Sequence, residues 1–452
     1  MGRQGRFSHS LDVLPTTGFC AGTHSAEGFW RTGSLLSLMV PVRLGGSGST
    51  GERRATGPLQ TTTYSVKRRC YLRYVLGGAY GNRWSRPPAR PIREEKMSPK
   101  KILIIGGYGS VGRGIAERLC RQVPQQIVIA GRNLRKAEKL AGELGPQIEP
   151  TVLDVSNIAA SQSVLQGVGI VVMCLDSNNV EVARQCVRRG IHYVDISADY
   201  STLSQIEELR NQAEGTGTTA VLSVGLSPGI TNLMAKHCKS RVPDITSVDI
   251  DILLGMGDSH GEAAIRWTLE NAITQFAVHT PGGAVTVQSL SNGKKTTFPG
   301  VIGTRTTYRF NFSDQHVLPH TLGLSTVNTR LCFDSAFATG LFVTIRKTGL
   351  GWLLASRGSQ DFLIKLLQRV RFGSDEFILK IEGWNDRPQY ECSLTGTGEG
   401  NATGTVAAWV TRQLLESPRP PGVFHIEQLF DLKDFLNRPE ARNLKFEEST
   451  SR

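Results

Sequence analysis

KILIIGGYGSVG, residues 101–112, is an apolar run that breaks into glycines and then into an amphipathic segment. Ile102 to Ile105 read as a buried strand, glycines stand at 107, 109 and 112, and Val111, Ile115, Ala116 and Leu119 then recur with helical period. This strand–turn–helix pattern predicts a dinucleotide site. Gly107 allows the tight turn, Gly109 lets backbone approach a pyrophosphate, and Gly112 lets the helix pack closely on the strand. Free N–H groups at the helix start then face the phosphates, which sets Tyr108, Ser110 and Val111 against the cofactor beside the three glycines.

About 20 residues beyond such glycines, a carboxylate normally holds the ribose 2′-OH of NAD. Here that place falls to Arg132, with Asn133 after it, at the end of an expected second strand. A planar guanidinium matches the oxygens and charge of a 2′-phosphate, so NADP is favoured, with NAD possible. The plainer reading of Arg132 is a solvated loop cation.

Apolar runs at 102–105, 126–130, 148–153, 169–175, 191–196 and 219–224 alternate with segments of helical period as far as Gly225. Near-continuous apolar strands between helices predict a parallel sheet covered on both faces. The expected fold class is therefore α/β, a Rossmann doubly wound parallel sheet, with a second α+β substrate or dimerisation domain. The NAD(P)-binding domain is set at 97–228 and the second domain at 229–400. The segment 401–452 is expected to return to the first domain. In the second domain, 261–278 reads as one helix, and 284–290, 296–298, 306–312 and 325–333 read as strands. Residues 377–381 and 390–394 suggest a hairpin.

Ligands of a doubly wound sheet bind beyond the carboxyl ends of its strands. Asp154 and Val155 end the third strand, where an adenine edge would lie, and Asp176 and Ser177 end the fourth, near an expected nicotinamide. Either carboxylate can equally cap the helix that follows. Asp195, Ser197 and Tyr200 follow the fifth strand and are the candidate proton donors or positioning groups, Tyr200 foremost. Ser204 stands four residues after Tyr200, so the Tyr-x-x-x-Lys arrangement of short-chain dehydrogenases is absent. Arg266, Arg305, Arg309 and Arg330 are candidate cations for a substrate carboxylate, against the plainer reading of surface or ion-pair arginines.

The net charge of +13 is concentrated at one end: residues 1–96 hold fifteen Lys or Arg against five Asp or Glu, a net of +10, which leaves +3 for the rest. A nucleic-acid partner is not expected from so balanced a remainder. Residues 1–96 read as a disordered basic extension, as an organelle transit segment, or as an upstream stretch before a true start at Met97. Otherwise a cytoplasmic location is expected. Eight cysteines without a CxxC pair fit a reduced core. Asp314, His316 and His320 approach metal-ligand spacing, but Pro319 interrupts them and no further ligand is obvious, so no metal is expected. The apolar segments Phe337 to Val343 and Trp352 to Val370, flanked by Arg346, Lys347, Arg357 and Lys365, are expected in a core or dimer interface rather than on a membrane.

With GGYGSVGRGIAERL, AGRN, the Cys174 to Cys186 segment, HYVDIS and GLSPGITNL in view, the chain resembles the saccharopine dehydrogenase family, strongly over about residues 100–235. The resemblance implies an NADP- or NAD-binding Rossmann domain, an α+β domain that binds substrate and pairs subunits as a homodimer, and hydride transfer at the C–N bond of an imine or secondary amine. It implies a small-molecule substrate such as an amino acid or amino-acid conjugate. Two departures bear on that substrate. Thr231 and Asn232 stand after Pro228-Gly229-Ile230 where saccharopine-forming members have an acidic residue. Their aromatic-rich stretch has only a loose echo in Ile265 to Glu270. A carbonyl substrate, and a non-catalytic NADP-binding scaffold, are the alternatives.

Overall fold

The computed structural model of the chain describes residues 100–450 apart from 124–126, 147, 160, 259–260 and 370–372. The extension 1–96 thus lies outside the described residues.

β1 (Lys101–Ile105), β2 (Ile127–Gly131), β3 (Glu149–Val152), β4 (Val168–Met173), β5 (His192–Asp195) and β6 (Thr219–Leu222) all pair in parallel. The helices between them are α1 (Ser110–Leu119), α2 (Leu134–Leu144), α3 (Asn179–Arg188), α4 (Tyr200–Glu207) and α5 (Arg210–Thr216). Alternate residues of one strand feed opposite cores. Ile102 and Ile104 pack with Ile115 and Leu119 of α1, whereas Leu103 and Ile105 pack with Val182 and Val187 of α3. Burial on both faces is why β1, β2 and β4 carry almost no polar residue, whereas β3 at the sheet edge is largely exposed. Asn133 caps α2 by accepting from the Lys136 N–H at 3.1 Å.

The second sheet begins after α6 (Thr231–Arg241) with β7 (Ser247–Leu254), followed by α7 (Glu262–Asn271). The expected single helix over 261–278 is corrected here: α7 stops at Asn271, and β8 (Gln275–Thr280) pairs antiparallel with β9 (Gly283–Gln288) as a separate hairpin. Phe276 and Val278 alternate inward onto Val287, a period of two that a helix cannot use. The elements that follow are β10 (Lys294–Phe298), β11 (Gly303–Arg309), α8 (Asp314–Leu322), β12 (Thr326–Phe333), α9 (Ala336–Lys347), α10 (Trp352–Ala355), α11 (Arg357–Arg369), β13 (Glu376–Trp384) and β14 (Pro388–Thr397). Phe337, Trp352 and Phe362 on the three apolar helices are exposed, so these side chains are not core residues of the chain. No helix among the described residues is long and apolar enough to cross a membrane.

The C-terminal segment holds α12 (Glu399–Glu416), β15 (Gly422–His425), α13 (Ile426–Leu429), α14 (Leu432–Leu436) and β16 (Lys445–Thr450). This segment serves both sheets: β15 extends the parallel sheet beside β6, and β16 pairs with β14 in the other sheet. The parallel sheet runs β15-β6-β5-β4-β1-β2-β3, and the mixed sheet runs β10-β11-β12-β7-β13-β14-β16. This is a Rossmann-type parallel sheet joined to a second, mixed α+β layer.

Candidate functional site

The parallel sheet reverses its strand order between β1 and β4. A crevice is therefore expected beyond their carboxyl ends, and a cavity of about 670 Å³ lies there. A second cavity of about 580 Å³ sits over β10, β13, β14 and β16 and contains none of the glycine-turn residues. The first is the candidate site, because only there do open backbone N–H groups and the strand-end carboxylates meet.

Tyr108, Gly109, Ser110, Val111, Gly112, Arg132, Asp154, Val155, Asp176 and Ser177 all line it. Gly107 and Asn133 do not, and each serves the site from behind. The left-handed residue of the turn is Gly106, at φ +79°, and not Gly107 as expected from the glycine spacing. A Cβ on Gly106 would also lie 2.8 Å from the Leu175 side chain. Gly112 behaves as expected, since a Cβ there would stand 2.4 Å from the Gly106 carbonyl oxygen. Gly109 N-caps α1, and the N–H groups of the first helical turn have no partner within the helix. These groups form an anion cradle.

The AGRN motif holds Tyr108 in place. The phenol ring lies against Gly131, where a Cβ would approach within 2.4 Å, and its oxygen accepts from the Asn133 N–H at 3.1 Å. Arg132, next along, is exposed to the cavity, with no hydrogen bond or ion pair to another described residue. Asp154 caps the short turn that follows it, accepting from the Ser156 N–H at 3.0 Å, and still faces the cavity. That hydrogen bond, the Ser156 side chain and the Arg132 charge keep its carboxyl below the usual range. Asp176 meets solvent through the cavity but is otherwise hemmed in by protein, and this burial raises its pKa against a hydrogen bond from Ser197.

Asp195, Ser197 and Tyr200 are not on the cavity wall. The residues from this stretch that line it are Ile196 and Ala198. For Asp195 and Ser197 the physical reason is parity: side chains of extended backbone alternate, so the positions that reach the cavity put their neighbours into the interior, whereas Tyr200 already belongs to α4. Asp195 is fully buried and accepts from the Tyr193 hydroxyl at 2.6 Å, the Ser197 N–H at 2.8 Å and the Asn179 amide at 3.1 Å. Burial pushes its pKa up to about 6 despite these donors. Tyr200 stacks on His316 at 4.9 Å between ring centroids. None of the three candidates lines the cavity.

Of the four candidate arginines, only Arg266 lines the cavity. Its guanidinium is already held by Asp361 at 2.7 Å and by Glu262 and Gln360 at 3.0 Å. Arg305 bonds backbone carbonyls, Arg309 bonds Asn328 and Gln315, and Arg330 pairs with Asp249. The Asp314, His316 and His320 spacing does not converge on one point. Asp314 accepts from Thr329 and Ser227, and His316 bonds Asn311 at 2.7 Å.

Sequence reasoning marked Ile265 to Glu270 only as a loose echo of the family's aromatic-rich stretch and missed Phe312. Trp267, Glu270 and Phe312 line the cavity from the second domain, and Trp267 packs on Phe312 at 5.1 Å and on Phe310 at 5.7 Å. It also missed α12, whose Glu399, Gly400 and Thr403 line the cavity. The Leu226 N–H donates to the Thr403 hydroxyl at 3.2 Å, and Gly404 lets the helix approach the backbone of α1. The signal available was the run of small residues from Gly400 to Ala408. The cavity fits a dinucleotide: it is of ligand size, it has helix-start N–H donors without a partner within α1, and it has a guanidinium that is unpaired among the described residues.

Residues 102–221 match the family described as "Saccharopine dehydrogenase NADP binding domain". Among solved structures, saccharopine dehydrogenase (L-Glu forming) from Saccharomyces cerevisiae is 17% identical with TM-score 0.57, covering 78% of this chain and 100% of that one. A dihydrodipicolinate reductase from Paenisporosarcina sp. TG-14 is 9% identical with TM-score 0.36, over 74% of this chain and 100% of that one. A myo-inositol dehydrogenase from Corynebacterium glutamicum is 11% identical, also with TM-score 0.36, over 75% and 93%. Residues 102–221, which span the parallel strands β1 to β6, are thus similar to a saccharopine dehydrogenase NADP-binding domain, as their motifs implied.

Proposed function

We propose, from that family assignment and from the cavity, that the chain is an NADP-dependent oxidoreductase acting at the C–N bond of an imine or secondary amine, or at a carbonyl carbon, of a small substrate. The observation that supports this most is the position of Arg132: a guanidinium without a partner among the described residues, at the strand end where a ribose 2′-phosphate belongs, lining the same cavity as the glycine turn. The α1 N-terminus and Gly109 hold the diphosphate, and Arg132 takes the 2′-phosphate. When bound, the coenzyme supplies or accepts a hydride. Trp267 and Phe312 exclude water from the second-domain wall and position the substrate against it. Among the ionisable side chains that line the cavity, Asp176, with its raised pKa, is suited to hold a proton.

The test is calorimetric titration of wild type and Arg132→Ala with NADPH and NADH, together with NADPH oxidation assays over keto-acid and amine pairs. Arg132→Ala should weaken NADPH by about 10- to 100-fold and leave NADH within about twofold. Equal losses for both coenzymes overturn the 2′-phosphate contact. One observation favours a second reading, a non-catalytic NADP-binding scaffold: Asp195, Ser197 and Tyr200 all lie off the cavity wall. Tight NADPH binding without turnover on any pair selects that reading.

A further inference from the structure

Outside the cavity, three side chains from distant parts of the chain converge. Glu207 ends α4, His320 lies on the last turn of α8, and His425 ends β15. His425 Nε2 is 2.6 Å from Glu207 Oε1, His320 Nε2 is 3.9 Å from the same oxygen, and all three ligand atoms lie within 4.8 Å of one another. The two imidazoles meet edge to face at 6.2 Å. None of the three lines the candidate site.

We infer that Glu207, His320 and His425 form a binding site for a divalent transition-metal ion of the zinc type. Two neutral imidazoles and one carboxylate are the donor set such ions take. Ligand atoms about 2.0–2.2 Å from a tetrahedral ion stand about 3.3 Å apart, a spacing that the 2.6 Å and 3.9 Å separations bracket. Small side-chain rotations therefore close the site.

The surroundings favour it as well. His425 is buried, and its other ring nitrogen, Nδ1, lies 2.8 Å from the Ser223 hydroxyl. With the proton on Nδ1 and donated to Ser223, the Nε2 lone pair points to the cluster, the outer-shell arrangement usual for a ligating histidine. No lysine or arginine among the described residues pairs with Glu207. His320 is about half exposed, so water can reach the fourth position.

A bound ion would fasten three segments. The faces of α4 and α8 that meet at Tyr200 and His316 meet again at Glu207 and His320, seven and four residues further along their helices. The metal holds that second end and ties both helices to the strand that completes the parallel sheet. Its role is to fix α8, which carries His316, against the nucleotide-binding domain.

The full chain, stripped with a chelator and dialysed, is titrated with Zn²⁺ by calorimetry, and its Co²⁺ form is read by absorption. The expected result is one Zn²⁺ per chain, a thermal midpoint that rises with Zn²⁺, and a Co²⁺ spectrum without a thiolate charge-transfer band. His320→Ala, at a half-exposed position that keeps the fold, should weaken Zn²⁺ by at least about tenfold and abolish the thermal shift, with NADPH affinity in metal-free buffer unchanged. Glu207→Gln should do the same. No uptake at about 0.1 mM Zn²⁺, uptake equal in wild type and both variants, or a thiolate band would each overturn the site.

Discussion

The two ends of the main cavity are built by different means. At the nucleotide end, backbone provides the binding surface: Gly106, Gly109, Gly112 and Gly131 remove side chains so that N–H groups and the Tyr108 ring can approach. At the second-domain end, side chains provide it: Trp267 and Phe312 line the cavity and interlock with the buried Phe310 behind them, and Arg266 is locked by Asp361, Glu262 and Gln360. A backbone cradle recognises phosphate whatever the rest of the ligand is, whereas a wall of interlocked side chains selects shape. The coenzyme is therefore the more legible ligand, and the substrate the less.

The sharpest way to break this contrast is Gly112→Ala. A methyl group 2.4 Å from the Gly106 carbonyl oxygen has no room, so turn and helix must separate. The expected cost is about 3 kcal/mol of stability and a loss of about 100-fold or more in NADPH affinity, read by chemical denaturation and calorimetry. Near-wild-type values for both would show that the cradle tolerates a side chain.

Acid should act off the cavity wall, at His316 on α8. Burial, and then the Arg309 charge, lower the His316 pKa to about 4. The unfolded chain binds a proton near pH 6.5 and the folded one only near pH 4, so the stability associated with His316 is complete above about pH 6.5 and is lost as pH falls towards 4. The loss is on the order of 2–3 kcal/mol. Wild type should show this slope in denaturation midpoints, and His316→Gln should flatten it. An unchanged slope in the variant would detach the effect from this histidine.

The smallest expected effect sharpens the contrast most. Trp267→Ala removes the wall without touching the cradle, so the NADPH dissociation constant should move by less than about threefold, while turnover with any accepted substrate falls. A cofactor loss as large as that of Gly112→Ala would mean that the two ends are one unit.

The parallel strands were readable because burial on both faces leaves an uninterrupted apolar run, as in Val168 to Met173. The turn was readable because its steric demands are local. The stretch 261–278 was misread because one apolar segment can satisfy either period, and the β8–β9 contact that selects a strand lies outside any helical window. Asp195 and Ser197 were assigned to the right strand end but the wrong face. Burial of a strand on both sides erases the polar alternation that would have shown which neighbour meets the ligand.

By itself, then, the sequence determined the order of strands and helices in the parallel-sheet region, the glycine turn, and the cation just after β2, since each depends on residues within about one strand–turn–helix unit. Only the tertiary structure decided that Ile196 and Ala198 rather than Asp195 and Ser197 face the cavity, that α12 forms part of its wall, and that Glu207, His320 and His425 converge. Those facts depend on how elements more than 100 residues apart pack together, and packing partners at that separation leave no periodic trace in the chain.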